Sequence, residues 1–159
     1  MSENAAVSKI KERFSGSVLD VVEHRGETAV TVNKEDVVAV CAFLKEQGFN
    51  FLTDLTAVDR LGEAPRFMMV YQMQSLSSKE RLRLKCPVEE ADAKVETVSG
   101  VWSTANWLER EVYDMFGISF NNHPNMKRIL MSDDWEGYPL RKDYPVQGPD
   151  REPYQGRVE

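Results

Sequence analysis

The amino-acid sequence predicts an α+β domain, in which helices cover a mixed or antiparallel sheet, with an extended proline-rich C-terminal arm. Two segments, 34–47 and 101–116, carry apolar residues at helical spacing. Three runs between residues 49 and 86 alternate apolar and polar side chains, as strands do. The residues from 121 onward show neither period and hold five of the seven prolines, which are disfavoured inside helices and central strands.

The N-terminal part predicts a short helix and a β-hairpin. Residues 5–14 place three apolar side chains along one side of a helix. Residues 17–23 and 28–32 are two short apolar runs, and the turn between them contains His24. We expect His24 to be a surface turn residue rather than a ligand.

The segment 34–47 carries signals for both ends of a helix. Asn33 is a favourable N-cap, Asp36 occupies the capping-box position, and Gly48 suits the position after the last turn. The apolar stripe of this helix consists of Val37, Val40, Cys41 and Leu44. We therefore expect Cys41 to be a small buried hydrophobe.

Three strands follow in the sequence. The first, 49–58, places Phe51, Thr53, Leu55 and Ala57 on one side. The second, 66–73, alternates Phe67, Met69 and Tyr71 with Met68, Val70 and Gln72. The third, 80–86, is apolar on one face and cationic on the other. Because the connection between the second and third strands is short, we expect these two to pair antiparallel.

The segment 101–116 predicts the second strong helix. Its apolar stripe consists of Val101, Ala105, Leu108, Val112 and Met115. Gly117 follows at the position of a C-terminal cap, and Ile118 and Phe120 are expected to form a short edge strand.

Two domains of different character are expected, a core domain at 1–120 and an arm at 121–159. The arm is too rich in large apolar side chains for a solvated tail. These side chains are Trp135, Tyr138, Leu140, Tyr144 and Tyr154. We favour an arm that packs across a partner subunit over an arm that folds back on its own domain.

Composition excludes several classes of protein. The net charge of −6 disfavours a nucleic-acid binder, whose affinity depends on a basic surface, and direct docking to an anionic membrane. No apolar run approaches the ~18 residues of a membrane span, and the first fourteen residues lack the apolar region of a signal peptide. We therefore expect a cytoplasmic chain. Its two cysteines, Cys41 and Cys86, form no CxxC pair, which argues against an iron–sulfur cluster. A disulfide is not expected in a cytoplasmic protein.

The acidic cluster in 101–116 is the first candidate for chemistry. Glu111 and Asp114 are three residues apart, so they share a helix face and could act as a carboxylate pair together with Glu109. Arg110 lies four residues before Asp114, at a spacing that favours an ion pair. A solvated, charge-rich helix face is the better interpretation of this cluster.

Other signatures of catalysis are absent from the sequence. No GxGxxG, GxxxxGK[ST] or GxSxG motif is present. His123 has no cysteine or second histidine nearby and is expected to be a hydrogen-bonded structural residue in a turn.

The stretch PLRKDYP at 139–145 places three charged residues between two prolines. The prolines restrict the backbone on both sides, as suits a docking segment. Arg141 could then bind a carboxylate of a partner in a bidentate manner. A solvated turn in which Arg141 pairs with Asp143 remains an equal alternative.

The C-terminal third resembles a known family. WLEREVYDMFGISFNNHPNMKRIL followed by DDWEGYPLRKDYP is similar to the signature of the 30 kDa subunit of respiratory complex I. Upstream, FLTDLTAVD, RFMMVYQMQSL and ERLRLKCPV also resemble strand segments of that family, so the resemblance covers roughly residues 10–159. The matching motif positions are Glu109, Arg110, Glu111, Asp114, His123, Pro124, Arg128, Trp135, Gly137, Pro139, Arg141, Lys142, Asp143 and Pro145.

The resemblance implies a non-catalytic scaffold subunit in the peripheral arm of the complex, on the cytoplasmic side of the bacterial inner membrane. It implies packing against the large subunit of the quinone module (the forty-nine-kilodalton type), the small iron–sulfur subunit of that module and other peripheral-arm subunits. The motif residues would serve folding and contact between subunits. No cofactor is expected in this chain, whereas FMN and iron–sulfur clusters are expected in partner subunits. The activity implied for the complex is NADH–quinone oxidoreduction coupled to proton translocation.

Two alternatives stay open at this point. The same family supplies subunits to membrane-bound nickel–iron hydrogenases and to F420 or quinone oxidoreductases. The other alternative is a stand-alone soluble enzyme that uses the Glu111 and Asp114 face.

Overall fold

The computed structural model describes residues 5–147, which contain three α-helices. They are α1 (Ala5–Arg13), α2 (Val37–Glu46) and α3 (Ala105–Phe116). A one-turn 3-10 helix at Lys34–Asp36 directly precedes α2, and a second one lies at Glu90–Asp92. The predicted helices are thus confirmed, although α3 begins four residues later than 101 because residues 98–102 form hydrogen-bonded turns.

Five strands form the main sheet, which is mixed. They are β1 (Val18–His24), β2 (Glu27–Val32), β3 (Phe51–Asp59), β4 (Phe67–Gln74) and β5 (Arg81–Val88), in the order β1-β2-β5-β4-β3. The β1–β2, β3–β4 and β4–β5 pairs are antiparallel, as predicted for β4 and β5, whereas β2 and β5 are parallel. Two further strands, β6 (Lys94–Glu96) and β7 (Ser119–Asn121), pair in parallel in a small second sheet. The edge strand after α3 is therefore confirmed, and the sequence pattern missed its partner β6.

One hydrophobic core joins the three helices to one face of the sheet. In β4 the buried side chains are Phe67, Met69, Tyr71 and Met73, and in β5 they are Leu82, Leu84, Cys86 and Val88. The alternate side chains of both strands face outward, as their period-2 pattern predicts. The whole predicted stripe of α2 is buried, and both cysteines are buried free thiols.

Two local predictions were wrong. Leu52, not Phe51, packs into the core, because an irregularity between Leu52 and Asp54 inserts an extra residue and reverses the alternation at the start of β3. The side chain of Asn33 makes no capping hydrogen bond within residues 5–147. Its Nδ2 instead donates to the Gly16 carbonyl oxygen at 3.4 Å.

Residues 121–147 fold against the core of the same chain. Leu140 N–H donates to the Met115 carbonyl oxygen at 3.1 Å, and Lys142 N–H donates to Asp59 Oδ2 at 2.8 Å. The remainder of the predicted arm, 148–159, lies outside the described residues. The proposed domain boundary at residue 120 and the contact of the arm with a partner therefore stay predictions.

Gly117→Ala is expected to destabilise the fold by about 3 kcal/mol, because two penalties add. Gly117 has a φ of +74°, and a Cβ there would lie 2.5 Å from Tyr138 Cε2. The matched control is Gly26→Ala, whose φ is +79° but whose Cβ would meet no atom within 4 Å. It should lose only about 1 kcal/mol. Urea unfolding of both variants separates the backbone strain from the clash, and equal losses would contradict the prediction.

Candidate functional site

The motif residues meet where α3 packs against residues 123–145. The centre of this region is Asp114, which is fully buried near the end of α3. Its Oδ2 accepts hydrogen bonds from the backbone N–H groups of Ile129 at 3.0 Å, Leu130 at 2.7 Å and Met131 at 3.0 Å. Its Oδ1 lies 2.6 Å from Arg128 Nη1. Burial opposes ionisation, yet these donors outweigh it and hold the pKa of Asp114 below its ordinary value.

The ion pair predicted between Arg110 and Asp114 is wrong. Arg110 Nε donates to the Lys127 carbonyl oxygen at 3.0 Å, and Arg110 Nη2 donates to the Arg128 carbonyl oxygen at 3.4 Å. Asp114 pairs instead with Arg128, which lies fourteen residues later in the chain. The segment that contains Arg128 also supplies three consecutive backbone N–H donors to the same carboxylate. The solvated helix face is also wrong for Asp114 and Glu109, which are buried, although Glu111 is exposed.

Arg128 organises the segment that follows it. Its Nη2 donates to the carbonyl oxygens of Trp135 at 3.2 Å and Gly137 at 3.3 Å. Its guanidinium carbon lies 5.5 Å from the centre of the Tyr138 ring. Gly137 has a φ of +83°, and a Cβ there would lie 2.7 Å from a Tyr144 ring carbon. A glycine at this position therefore permits the turn and the close approach of Tyr144.

A second anchor is Arg66, which sequence reasoning missed. This buried guanidinium binds both oxygens of Asp59, each at 2.9 Å, and reaches Glu90 at 2.6 Å and Asp143 at 2.7 Å. The hydrogen bond from Arg66 lowers the pKa of Asp59 and also that of Asp143. An arginine at the start of an apolar strand and an aspartate at the end of another are the signals that could have indicated this pair.

Arg141 lies between two aromatic rings. Its guanidinium carbon is 5.1 Å from the centre of the Phe67 ring and 4.7 Å from that of Tyr138, and its Nε donates to the Phe116 carbonyl oxygen at 2.6 Å. The alternative in which Arg141 pairs with Asp143 is wrong, because Asp143 binds Arg66. Arg141 and Asp143 thus fix PLRKDYP to the rest of the domain, although Lys142 and Pro145 are exposed.

Glu109 and His123 form a buried polar cluster beside this segment. Glu109 accepts a hydrogen bond from Val98 N–H at 2.7 Å and one from the Thr97 hydroxyl group. His123 Nε2 lies 3.0 Å from the Asn106 carbonyl oxygen, and its Nδ1 accepts from Asn125 N–H. The prediction of a hydrogen-bonded structural histidine is confirmed. Burial raises the pKa of Glu109 to about 7, against the opposing effect of its two hydrogen bonds.

The comparisons with known proteins match this chain over most of its length. Residues 30–150 match the family described as respiratory-chain NADH dehydrogenase, 30 kDa subunit. The chain belongs to this family. The resemblance of its C-terminal motif is therefore confirmed, and the contacts above show how that motif folds in this member.

Two relatives are matched almost end to end. The C subunit of NADH-quinone oxidoreductase from Geobacter sulfurreducens is 62% identical over 157 residues, which cover 98% of this chain and 97% of the relative. The protein of the same name from Geotalea uraniireducens is 61% identical over 156 residues, which cover 98% of this chain and 95% of the relative.

Two solved structures share the fold. One is described as Nqo5 of the trypsin-resistant fragment (1–134) and has a TM-score of 0.68 at 33% identity, covering 76% of this chain and 98% of the other. The second is the membrane-bound sulfane sulfur reductase, an archaeal respiratory membrane complex, with a TM-score of 0.76 at 24% identity and 94% coverage of both chains. At that identity the second likeness shows the fold alone, and the α+β prediction is confirmed.

The remaining motif residues of this family member lie on the surface of the same region. Pro124, Lys142 and Pro145 are exposed, whereas Trp135 and Pro139 are half-buried. Within residues 5–147, no group of three or more His, Cys, Asp or Glu side chains is placed to hold a metal ion. No helix in that range has the length and apolar character needed to cross a membrane. The motif side chains that fasten chain segments to one another are therefore mainly the buried and half-buried ones, such as Asp114, Arg128 and Arg141.

A groove of about 320 Å³ lies on the main sheet. Its lining residues are numbered between 27 and 83, so they precede the motif residues in the sequence. It is lined by side chains of β2 to β5, among them Glu27, Asp54, Arg81 and Arg83. None of the fourteen motif residues lines it, so the cavity and the family motif are separate features.

Asp114→Asn is expected to lower the free energy of unfolding by about 3 kcal/mol, since it leaves Arg128 without its buried anion. Both carboxylate oxygens accept hydrogen bonds, so either orientation of the amide turns its NH₂ group toward donors. Urea unfolding at neutral pH measures the loss. Asp133→Asn, at an exposed position, is the control. A loss no larger than that of the control would show that Asp114 is not an anchor.

Glu109→Gln is expected to remove a pH dependence of stability between about pH 4.5 and 7. The folded state binds this proton more tightly than the unfolded chain, so the wild type loses stability as pH rises through that window. At pH 8 the free energy of unfolding of the variant should exceed that of the wild type by on the order of 2 kcal/mol. Urea unfolding at pH 5 and pH 8 checks this, with the exposed Glu111→Gln as control. An unchanged slope would contradict the assignment of this dependence to Glu109.

Proposed function

We propose that this chain is a non-catalytic scaffold subunit of NADH–quinone oxidoreductase. The observation that carries the proposal is its 61–62% identity, over 98% of its length, to proteins named as the C subunit of that enzyme. On this proposal the chain belongs to the peripheral arm, and the oxidation of NADH, the reduction of quinone and proton translocation are activities of the whole complex. The names of these relatives favour this machine over a nickel–iron hydrogenase or an F420 oxidoreductase.

The geometry of the motif supports a scaffold rather than a stand-alone enzyme. Glu111 and Asp114 were the candidate carboxylate pair, but one is exposed and the other is buried and fully engaged. Arg128 is likewise held by carbonyl groups, an aromatic ring and the Asp114 carboxylate. Arg141 is held by a carbonyl group, two aromatic rings and the Glu90 carboxylate, which lies 3.8 Å from its Nη1. Groups held in this way position the backbone and are not available to move protons in a reaction.

The partners we propose are the large, forty-nine-kilodalton-type subunit and the small iron–sulfur subunit of the quinone module, together with other peripheral-arm subunits. The residues that follow β7 support such contacts. Leu130 is 56% exposed and Leu140 is 54% exposed, although the backbone of both is hydrogen-bonded to α3 or its Asp114 side chain. An ordered backbone that carries exposed leucine side chains is consistent with a contact between subunits. We extend the proposal to the whole arm, 121–159, and to the motif residues that face outward.

FMN and iron–sulfur clusters would belong to the partner subunits. The two thiols of this chain support that assignment, because both lie in the hydrophobic core. Burial raises the pKa of Cys86 to about 12 and raises that of Cys41 still further. A buried protonated thiol is a poor ligand for a cluster, which needs thiolates. On the proposed function, the chain lies on the cytoplasmic side of the bacterial inner membrane and is attached to the membrane through its partner subunits.

A tagged copy of the chain, recovered from detergent-solubilised membranes, tests the proposal. We expect it to bring down the large subunit of the quinone module and flavin-containing subunits, with NADH–quinone oxidoreductase activity in the same fraction. Coexpression with that large subunit alone should give a stable pair. Recovery with a nickel–iron hydrogenase, or of the chain alone, would contradict the proposal. An untagged strain is the control for non-specific recovery.

A further inference from the structure

Trp107 is a large aromatic side chain on α3 that the core does not use. It is 63% exposed, whereas Ala105, Val112, Met115 and Phe116 of the same helix are buried. An indole ring left in water forgoes a large hydrophobic gain. Trp107 is the first residue of the signature WLEREVYDMFG, but it is not one of the fourteen motif positions given above.

The exposed indole is held in place rather than loose. The guanidinium carbon of Arg110 lies 4.8 Å from the centre of the Trp107 ring. Arg110 is fixed in turn by its hydrogen bonds to the carbonyl oxygens of Lys127 and Arg128. These carbonyl groups belong to the segment that Asp114 anchors. Because these contacts restrict the Trp107 side chain before binding, less side-chain conformational entropy is lost when a partner binds it.

The surroundings of Trp107 combine apolar area with positive charge. Lys127 is exposed next to Arg110, and Leu130 follows with 56% of its surface exposed. Leu130 N–H binds Asp114, which lies seven residues after Trp107, about 10 Å along the axis of α3. We call Trp107, Arg110, Lys127 and Leu130 the Trp107 surface. The exposed Glu111 lies four residues after Trp107, but Arg110 and Lys127 outnumber it, so this surface is net cationic on a chain whose net charge is −6.

We infer that the Trp107 surface is a docking point for another subunit of the oxidoreductase, one that offers an apolar groove with a carboxylate at its rim. This inference rests on the proposed function. The groove would take the indole ring, and the carboxylate would face the Arg110 guanidinium and the Lys127 ammonium group. Tryptophan and arginine are the side chains most often found at the energetic centre of interfaces. Charge complementarity points to an acidic protein surface, and the net charge of the chain argues against nucleic acid.

The first test compares variants of the tagged full-length chain in the bacterial membrane. Trp107→Ala should lower the recovery of partner subunits about tenfold, Trp107→Phe should restore most of it, and Lys127→Glu should reduce it most strongly at low salt. Leu76→Ala is the matched control, since Leu76 is 49% exposed in the loop between β4 and β5. Far-UV circular dichroism and urea unfolding of the isolated chains should show unchanged folding, because the ring is outside the core.

The second test measures burial directly. Hydroxyl-radical oxidation followed by mass spectrometry reports the reactivity of Trp107 in the isolated chain and in the assembled complex. We expect Trp107 to be protected on assembly.

The outcomes separate this inference from the proposed function. If the wild-type chain recovers no oxidoreductase subunits, the proposed function fails. If it recovers them while Trp107→Ala does so equally well and Trp107 stays equally reactive, the inference alone is overturned. Self-association of the isolated wild-type chain that Trp107→Ala abolishes would assign the surface to a second copy and also overturn the inference.

Discussion

The buried carboxylate of Asp114 is the interaction on which the C-terminal third depends. A charge removed from water is tolerated only when hydrogen bonds and a counter-ion replace its hydration. Asp114 also lies two residues before the end of α3, where the helix dipole disfavours a negative charge. Arg128 and three consecutive N–H groups meet both demands. The carboxylate and the backbone turn around it therefore require each other.

The second fastening, at Arg66, holds the end of the same segment. Between the two anchors, arginine side chains and aromatic rings stack in alternation, in the order Arg128, Tyr138, Arg141 and Phe67. Such contacts order a stretch of chain that has no helix or strand of its own. Close packing then explains the glycines, since at Gly117 and Gly137 any side chain would overlap a tyrosine ring.

The polar anchors hold the backbone of this segment while Leu130 and Leu140 stay exposed. Ordering a segment before binding removes an entropy cost that a flexible arm would incur on assembly. The same anchors place Arg110 against the Trp107 ring, so the stability of the fold and the presentation of that surface are coupled through Asp114 and residues 127–131. This coupling is consistent with the proposed role of a scaffold subunit.

The sequence by itself determined the helices, every strand except β6, and the family. Period and end signals found α2, β4, β5 and the cap at Gly117, because those signals act within a few residues. The long motif of mixed composition identified the family without any structure. Only the tertiary structure decided which partner each charge takes: Asp114 binds Arg128 rather than Arg110, and Asp143 binds Arg66. The irregularity in β3 that turns Phe51 outward and the parallel pairing of β2 with β5 also had no local signal. Each depends on groups brought together from distant parts of the chain, and sequence spacing carries no information about such encounters.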